Sequence, residues 1–272
     1  MKEKKKSGKK SAKAKKLFVI ISKKKQIRGK ARNWKVLYCY EIDLKDAEKI
    51  DIKKLVAKIQ AEKKASTLFI NFPNNLKFAE NFLYKLFQLK QEKNFLIAVK
   101  GIGYDADKEL LKLKRRGIPI VDIFFPRFES GKMHWAGGGL NHVLLNLMKK
   151  NIIALGINLD ELLERIAVHD YGYFSKLLQN IAWARKRGVN LCLFSSELFD
   201  PLDCFHFLLC FCSTQQALSA LNYAQFKLKF NKEIFEHKAG EVYVYKSKEK
   251  IKLVELLNAL SSLSYSKKPI EA

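Results

Sequence analysis

Apolar residues along this chain fall in short runs that alternate with longer stretches of helical spacing. Leu17–Ser22, Val36–Ile42, Thr67–Phe72, Phe95–Val99, Ile120–Phe125, Ile152–Asn158 and Leu191–Ser195 are compact and rich in β-branched and aromatic residues, so each predicts a strand. Ile52, Leu55, Val56 and Ile59 predict a helix over Ile50–Lys64, and Phe78, Phe82, Leu86 and Leu89 a helix over Phe78–Glu92. Helices are also predicted near Lys24–Asn33 and over Asp105–Arg116, Leu140–Lys150, Phe174–Arg187, Leu202–Cys212 and Thr214–Tyr223. Gly117 and Gly188 follow two of them, as a glycine past a helix end should.

Runs such as LFIN, FLIAV and IIALGI are continuously apolar, which suits parallel strands buried on both faces. Alternation of strand and helix predicts an α/β fold, and about seven repeats favour an irregular, closed (β/α) TIM-like barrel over an open doubly wound sheet. No Gly-x-Gly-x-x-Gly follows the first strand, which weakens a dinucleotide-binding reading. Beyond residue 225 the pattern changes. Phe226–Phe230 and Val242–Tyr245 read as a hairpin or two added strands, and Lys250–Leu263 as an amphipathic helix. The predicted organisation is a Lys-rich arm (1–16), a barrel (17–225) and a C-terminal extension packed on it (226–272).

Composition adds a strong charge. The 272 residues carry 52 Lys plus Arg against 27 Asp plus Glu, a net +25. Residues 1–16 hold +8 and residues 17–35 another +7 with no acid, so most of the excess lies at one end. A block of like charge with Ser, Gly and Ala cannot bury a core, and is expected to be a disordered arm that attracts polyanions. Lys9, Lys10, Lys15 and Lys16, with Lys24, Lys25 and Arg28 behind them, are the arm-side candidates for RNA contact. No run reaches the roughly 18 apolar residues of a membrane span, and no secretory pattern opens the chain. The five cysteines sit in apolar runs and read as buried free thiols of a cytoplasmic protein.

Two stretches, Phe124–Leu163 and Leu191–Ala224, resemble archaeal ribonuclease P protein component 3, the barrel subunit shared with eukaryotic ribonuclease P. The first centres on LNHVLLNLMKKNIIALGINLDELL and the second on FSSELFDPLDCFHFLLCF. LFVIIS, KVLYCYEI and TLFINFPN fall where the family has its first three strands, so the resemblance covers about 17–225. It implies a barrel like that of the PHP hydrolases and a subunit of a tRNA 5′-processing endoribonuclease whose RNA carries the chemistry. No catalytic residue, metal or cofactor is expected in this chain, with Mg²⁺ entering through the RNA. The implied partners are the ribonuclease P RNA, a small ferredoxin-like subunit and, indirectly, precursor tRNA. The matching polar positions are Asp122, His142, Lys150, Ser195, Ser196 and Asp203, with Lys108 at a position that is basic in the family. Phe199 replaces an Arg of the family, Glu197 a small residue, and LFVIIS lacks the first strand's acid.

The residues themselves bound the chemistry. The five histidines form no His-x-His and no His-Glu-x-x-His, so an independent metal-dependent barrel hydrolase is the weaker alternative. A general RNA- or ribosome-binding role on the same scaffold is a second alternative. His206 and Cys210, spaced i, i+4, lack a second ligand pair and read as core. The loop Arg127–Gly139 runs into a helix N-terminus, where free N–H groups favour an anion. Arg127, Lys132 and His134 add charge, and Trp135 a stacking surface. His142 is either a polar contact at the barrel mouth or a capping or core histidine. Asp122, Ser195, Ser196 and Asp203 are expected to position neighbours, Asp122 orienting a basic side chain. Lys112, Lys114, Arg115 and Arg116 are expected to end one helix, and Arg185, Lys186 and Arg187 another.

Overall fold

The computed structural model describes residues 18–22, 34–44, 67–128, 139–195 and 201–239. The predicted helices near 24–33 and over 50–64, the Lys arm, most of the Arg127–Gly139 loop, Val242–Tyr245 and Lys250–Leu263 lie outside these residues. In chain order the elements are β1 (Phe18–Ser22), β2 (Trp34–Asp43), β3 (Thr67–Asn71), α1 (Leu76–Lys93), β4 (Leu96–Lys100) and α2 (Tyr104–Lys112). There follow β5 (Lys114–Arg115), β6 (Ile118–Pro119), β7 (Ile123–Phe125), α3 (His142–Lys150), β8 (Ala154–Asn158) and α4 (Leu159–Ala167). The series closes with α5 (Tyr171–Arg187), β9 (Leu191–Ser195), α6 (Pro201–Leu209) and α7 (Thr214–Ala239).

Seven strands form a closed parallel barrel in the order β1-β2-β3-β4-β7-β8-β9. Closure is made by β1 against β9, with Ile21 opposite Phe194 and Ser22 opposite Ser195. The α/β barrel expected from the alternation is therefore present.

Alternation within each strand splits the core in two, as successive side chains point to opposite faces. Ile97, Val99, Phe124, Leu155, Ile157 and Leu193 face the surrounding helices. Phe69, Ala98, Ile123, Phe125, Cys192 and Phe194 fill the lumen. The Phe125 ring centroid lies 5.0 Å from that of Phe69 and 5.8 Å from that of Phe194, both edge-on, and the other two rings stack at 5.2 Å. Such pairs contribute about 0.5–1.5 kcal/mol each beyond burial. Gly156 makes this packing possible, because a Cβ there would lie 2.4 Å from the Phe125 ring. Among the described residues these side chains fill the lumen as packed core.

The N-terminal end of the barrel is closed by α7, around a buried charge cluster. Asp122, just ahead of β7, accepts from Lys90 Nζ at 2.5 Å, from the Ile97 amide at 2.9 Å and from Asn231 Nδ2 at 3.2 Å. Lys227 Nζ stands 3.8 Å from the same carboxylate and donates to the Ile152 carbonyl at 3.0 Å. The Tyr223 hydroxyl lies 2.9 Å from the Asp122 carbonyl oxygen and 2.7 Å from that of Ile152. Asp122, Lys90 and Lys227 are all sealed from solvent. Burial holds both lysines below their ordinary range, Lys227 down to about 8, although Asp122 pulls them up.

Four expectations are corrected. Phe226–Phe230 is not a strand. It lies inside α7, which runs unbroken from 214 to 239. Its alternation of apolar and polar residues imitates a strand, but the buried stripe follows helical spacing through Tyr223, Lys227 and Asn231. Lys114, Arg115 and Arg116 do not end a helix. α2 stops at Lys112, and a β5–β6 hairpin follows, whose turn takes Arg116 and Gly117 at φ 52° and 76°. Leu159–Ala167 is a helix that the pattern did not predict. His206 and Cys210, read as core, are both exposed, unlike the buried Cys192, Cys204 and Cys212.

Candidate nucleic-acid interface

In a parallel barrel the loops leaving the strand C-termini gather at one face, where sites usually form. Here β3, β4 and β7 end side by side. Asn71, Phe72, Pro73 and Asn74 leave β3, Lys100 and Gly101 leave β4, and Arg127 follows β7, together lining an open cleft of about 410 Å³. An open cleft whose charged lining residues are both cations, Lys100 and Arg127, suits a polyanion backbone better than an enclosed small substrate.

A buried carboxylate fixes the cleft's floor. Asp107, 2% exposed in α2, accepts from the Ile102 amide at 2.7 Å and the Gly103 amide at 3.4 Å. Burial pushes its carboxyl up to about 6, while the two amides and Arg127 draw it down. Gly101 is required beside it, since a Cβ would sit 2.9 Å from the carboxylate and 3.1 Å from the Arg127 amide nitrogen. Arg127 is itself exposed and donates to the Ile102 carbonyl at 3.4 Å. Lys100, about one-third exposed, lies 3.5 Å from Glu161.

His142 begins α3 at the same face. Asn141 is the cap, accepting from the Val143 and Leu144 amides at 3.0 Å each, so the exposed His142 is neither the cap nor a core residue. Gly139, at φ 73°, passes so close to the Arg127 carbonyl that a Cβ would be 2.5 Å from it. The structure thus pinches together the two stems of the Arg127–Gly139 loop, with Arg127 on one and His142 just beyond the other. Lys132, His134 and Ser196 are outside the described residues, as are Lys9, Lys10, Lys15, Lys16, Lys24, Lys25 and Arg28.

The remaining candidates separate. Lys108 is half-buried on α2. Lys150 sits at the far end of α3, eight residues along a helix of about 1.5 Å rise, roughly 12 Å from His142 and away from the mouth. There it joins Lys149 and the end of α5, where Arg187 donates to Asn146 Oδ1 at 3.1 Å. Ser195 is buried and donates to Asp160 Oδ1 at 2.7 Å, tying β9 to the first turn of α4. Asp203 is exposed in the first turn of α6, where negative charge is favoured. Asp122 is at the opposite pole, in the α7 cluster. Among the described residues no three His, Cys, Asp or Glu side chains gather as a metal site, and no helix is long and apolar enough to cross a membrane.

Sequence reasoning missed Lys100, Asp107, Asn71 and Asn74. Lys100 carried a signal, a charge closing the apolar run FLIAV. The others depend on which strand ends become neighbours.

No family model and no curated protein matches the sequence. Among solved structures, the chain is similar to one in a cryo-EM structure of archaeal ribonuclease P with mature tRNA. The TM-score is 0.53 at 15% identity, over 84% of this chain and 99% of that one. The Mycobacterium tuberculosis protein Rv1207 gives a TM-score of 0.33 at 12% identity, covering 76% of this chain and 94% of that one. Dihydropteroate synthase from Xanthomonas albilineans with bound 7,8-dihydropteroate gives 0.32 at 10%, covering 71% and 82%. What this chain shares with the archaeal ribonuclease P chain is the irregular (β/α) barrel fold.

Proposed function

We propose that this chain is a protein subunit of ribonuclease P that binds and stabilises the catalytic RNA during removal of the 5′ leader from precursor tRNA. The observation that carries the reading is the barrel shared with a chain of an archaeal ribonuclease P particle, over nearly all of that chain. The net +25 and the open cationic mouth support it. In this reading the chain does no chemistry alone, and Mg²⁺ acts through the RNA. A small ferredoxin-like subunit completes the protein partners.

The RNA-contact set has two parts. Lys9, Lys10, Lys15, Lys16, Lys24, Lys25 and Arg28 supply attraction to phosphate without sequence preference. Lys100, Lys108, Arg127 and His142 form the contact surface around the mouth, and Lys132 and His134 of the Arg127–Gly139 loop belong to the same RNA-contact set. Lys150 marks a second basic surface at the opposite pole. Asp107, Ser195, Ser196 and Asp203 position the loops.

The test is reconstitution of the particle with and without this chain, following precursor-tRNA cleavage at low Mg²⁺. Cleavage is expected to fall when the chain is omitted, and unchanged cleavage would refute the proposal. Deleting residues 1–16 is expected to flatten the salt dependence of RNA binding, by about 0.9 in log–log slope for each duplex phosphate no longer neutralised. An unchanged slope would remove the arm from the interface.

A further inference from the structure

α4 carries one continuous apolar stripe, Leu159, Leu162, Leu163 and Ile166, at the i, i+3, i+4, i+7 spacing of a face meant for burial. Only its first half is covered. Leu159 and Leu162 are buried against the barrel, while Leu163 is 48% and Ile166 44% exposed. The turn that follows adds Val168 and Tyr171, each 69% exposed. These four are most of the large exposed apolar side chains among the described residues, and they fall within nine positions of one another. Scattered exposed apolar residues are ordinary, whereas a contiguous cluster of this kind marks an interface.

The charge around the cluster says what covers it. Between Leu159 and Tyr171 stand Asp160, Glu161, Glu164 and Asp170 against the single Arg165, in a chain of net +25. Lys100 lies 3.5 Å from Glu161 and Arg165 3.4 Å from Asp170, and the local balance is still negative. A nucleic-acid backbone is repelled by such a rim. A second copy joined through this patch by a two-fold axis would set carboxylate against carboxylate.

We infer that α4 and the α4–α5 turn form a docking surface for a second protein, one presenting an apolar ridge within a lysine- or arginine-rich rim. The surface begins at the barrel mouth, because Asn158 ends β8 and caps α4, accepting from the Asp160 amide at 3.2 Å. The docked protein therefore sits beside the cationic cleft, and the two together extend the basic face. This inference rests on the patch itself and does not depend on the RNA reading.

The test uses the full chain isolated from its native cells, treated with ribonuclease and then with a carbodiimide, which couples carboxylates to lysines in contact. Links from Glu164 or Asp170 to lysines of one other protein are expected. Val168→Ser with Tyr171→Ser, both at exposed positions, is expected to lower recovery of that protein about tenfold, the scale of losing interface anchors. Glu164→Lys, which removes no packing, is expected to do the same. RNA recovered before ribonuclease treatment and the melting temperature should stay unchanged, which separates failure of docking from failure of RNA binding or folding. Links confined to this chain or to a second copy, or full recovery of the partner by both variants, would overturn the inference.

Discussion

Asp122→Asn isolates the contribution of the charge cluster that fixes α7 beneath the barrel. The carboxylate is the counter-charge to two lysines sealed from water, Lys90 at 2.5 Å and Lys227 at 3.8 Å. Removing its charge at nearly constant shape leaves two buried ammonium groups. Breaking a buried pair in this way costs about 3–5 kcal/mol. Proton release caps the penalty per lysine, since neutralising an ordinary lysine at pH 7 costs roughly 5 kcal/mol. At about 2–4 °C per kcal/mol for a domain of this size, the melting temperature should fall by roughly 6–20 °C.

The cluster holds one carboxylate for two amines, so Lys227→Met should cost little alone and should recover much of the loss in the Asp122→Asn background. The pH dependence has a definite sign. Lys227 is lowered to about 8 by burial, with the Lys90 charge adding to that and Asp122 opposing it. Between about pH 8 and its ordinary value of 10.5, the unfolded chain binds the proton that the folded chain has released. Stability from this group therefore rises with pH across that window, by about 3 kcal/mol in all, and is flat below it. Burial pushes the Cys192 thiol up to about 12, which opposes this trend above pH 9. The measurement is thus the difference between wild type and Lys227→Met, by far-UV circular dichroism melts at each pH. A loss under about 1 kcal/mol for Asp122→Asn, or no recovery on adding Lys227→Met, would refute the reasoning.

Three further outcomes are expected. Gly156→Ala should destabilise the barrel by about 1–3 kcal/mol, because the methyl meets the Phe125 ring, and an unchanged urea midpoint would show that the lumen can yield. Asp107 binds its proton more tightly folded than unfolded, so its contribution to stability falls as pH rises from about 3.8 to about 6; Asp107→Asn should abolish that fall in urea titrations. Lys100→Gln with Arg127→Gln should weaken binding to ribonuclease P RNA in fluorescence anisotropy, lowering the log–log salt slope by about 0.7–0.9 for each phosphate no longer neutralised, with no change in melting temperature.

The local elements were legible from the chain alone. The stripe Phe78, Phe82, Leu86 and Leu89 is the inner face of α1, and the runs LFIN and FLIAV are β3 and β4, because burial imposes a period that the sequence has to carry. The overall excess of positive charge was equally plain. Polar residues that do the work of core residues were hidden. Lys227 and Asn231 interrupt the apolar period of α7, so Phe226–Phe230 imitated a strand until Asp122, more than a hundred positions away, supplied their partner.

Tertiary structure alone decided the rest. Closure rests on β1 meeting β9, a pairing across the whole barrel with no local signature. The cleft unites Asn71, Lys100 and Arg127 from three strand ends, and the floor under it needs Gly101 to make room for Asp107. α4 shows the same division. Its sequence specifies an apolar stripe and an acidic rim, but only the fold reveals that the second half of that stripe faces water, because exposure belongs to the assembled surface and not to the segment.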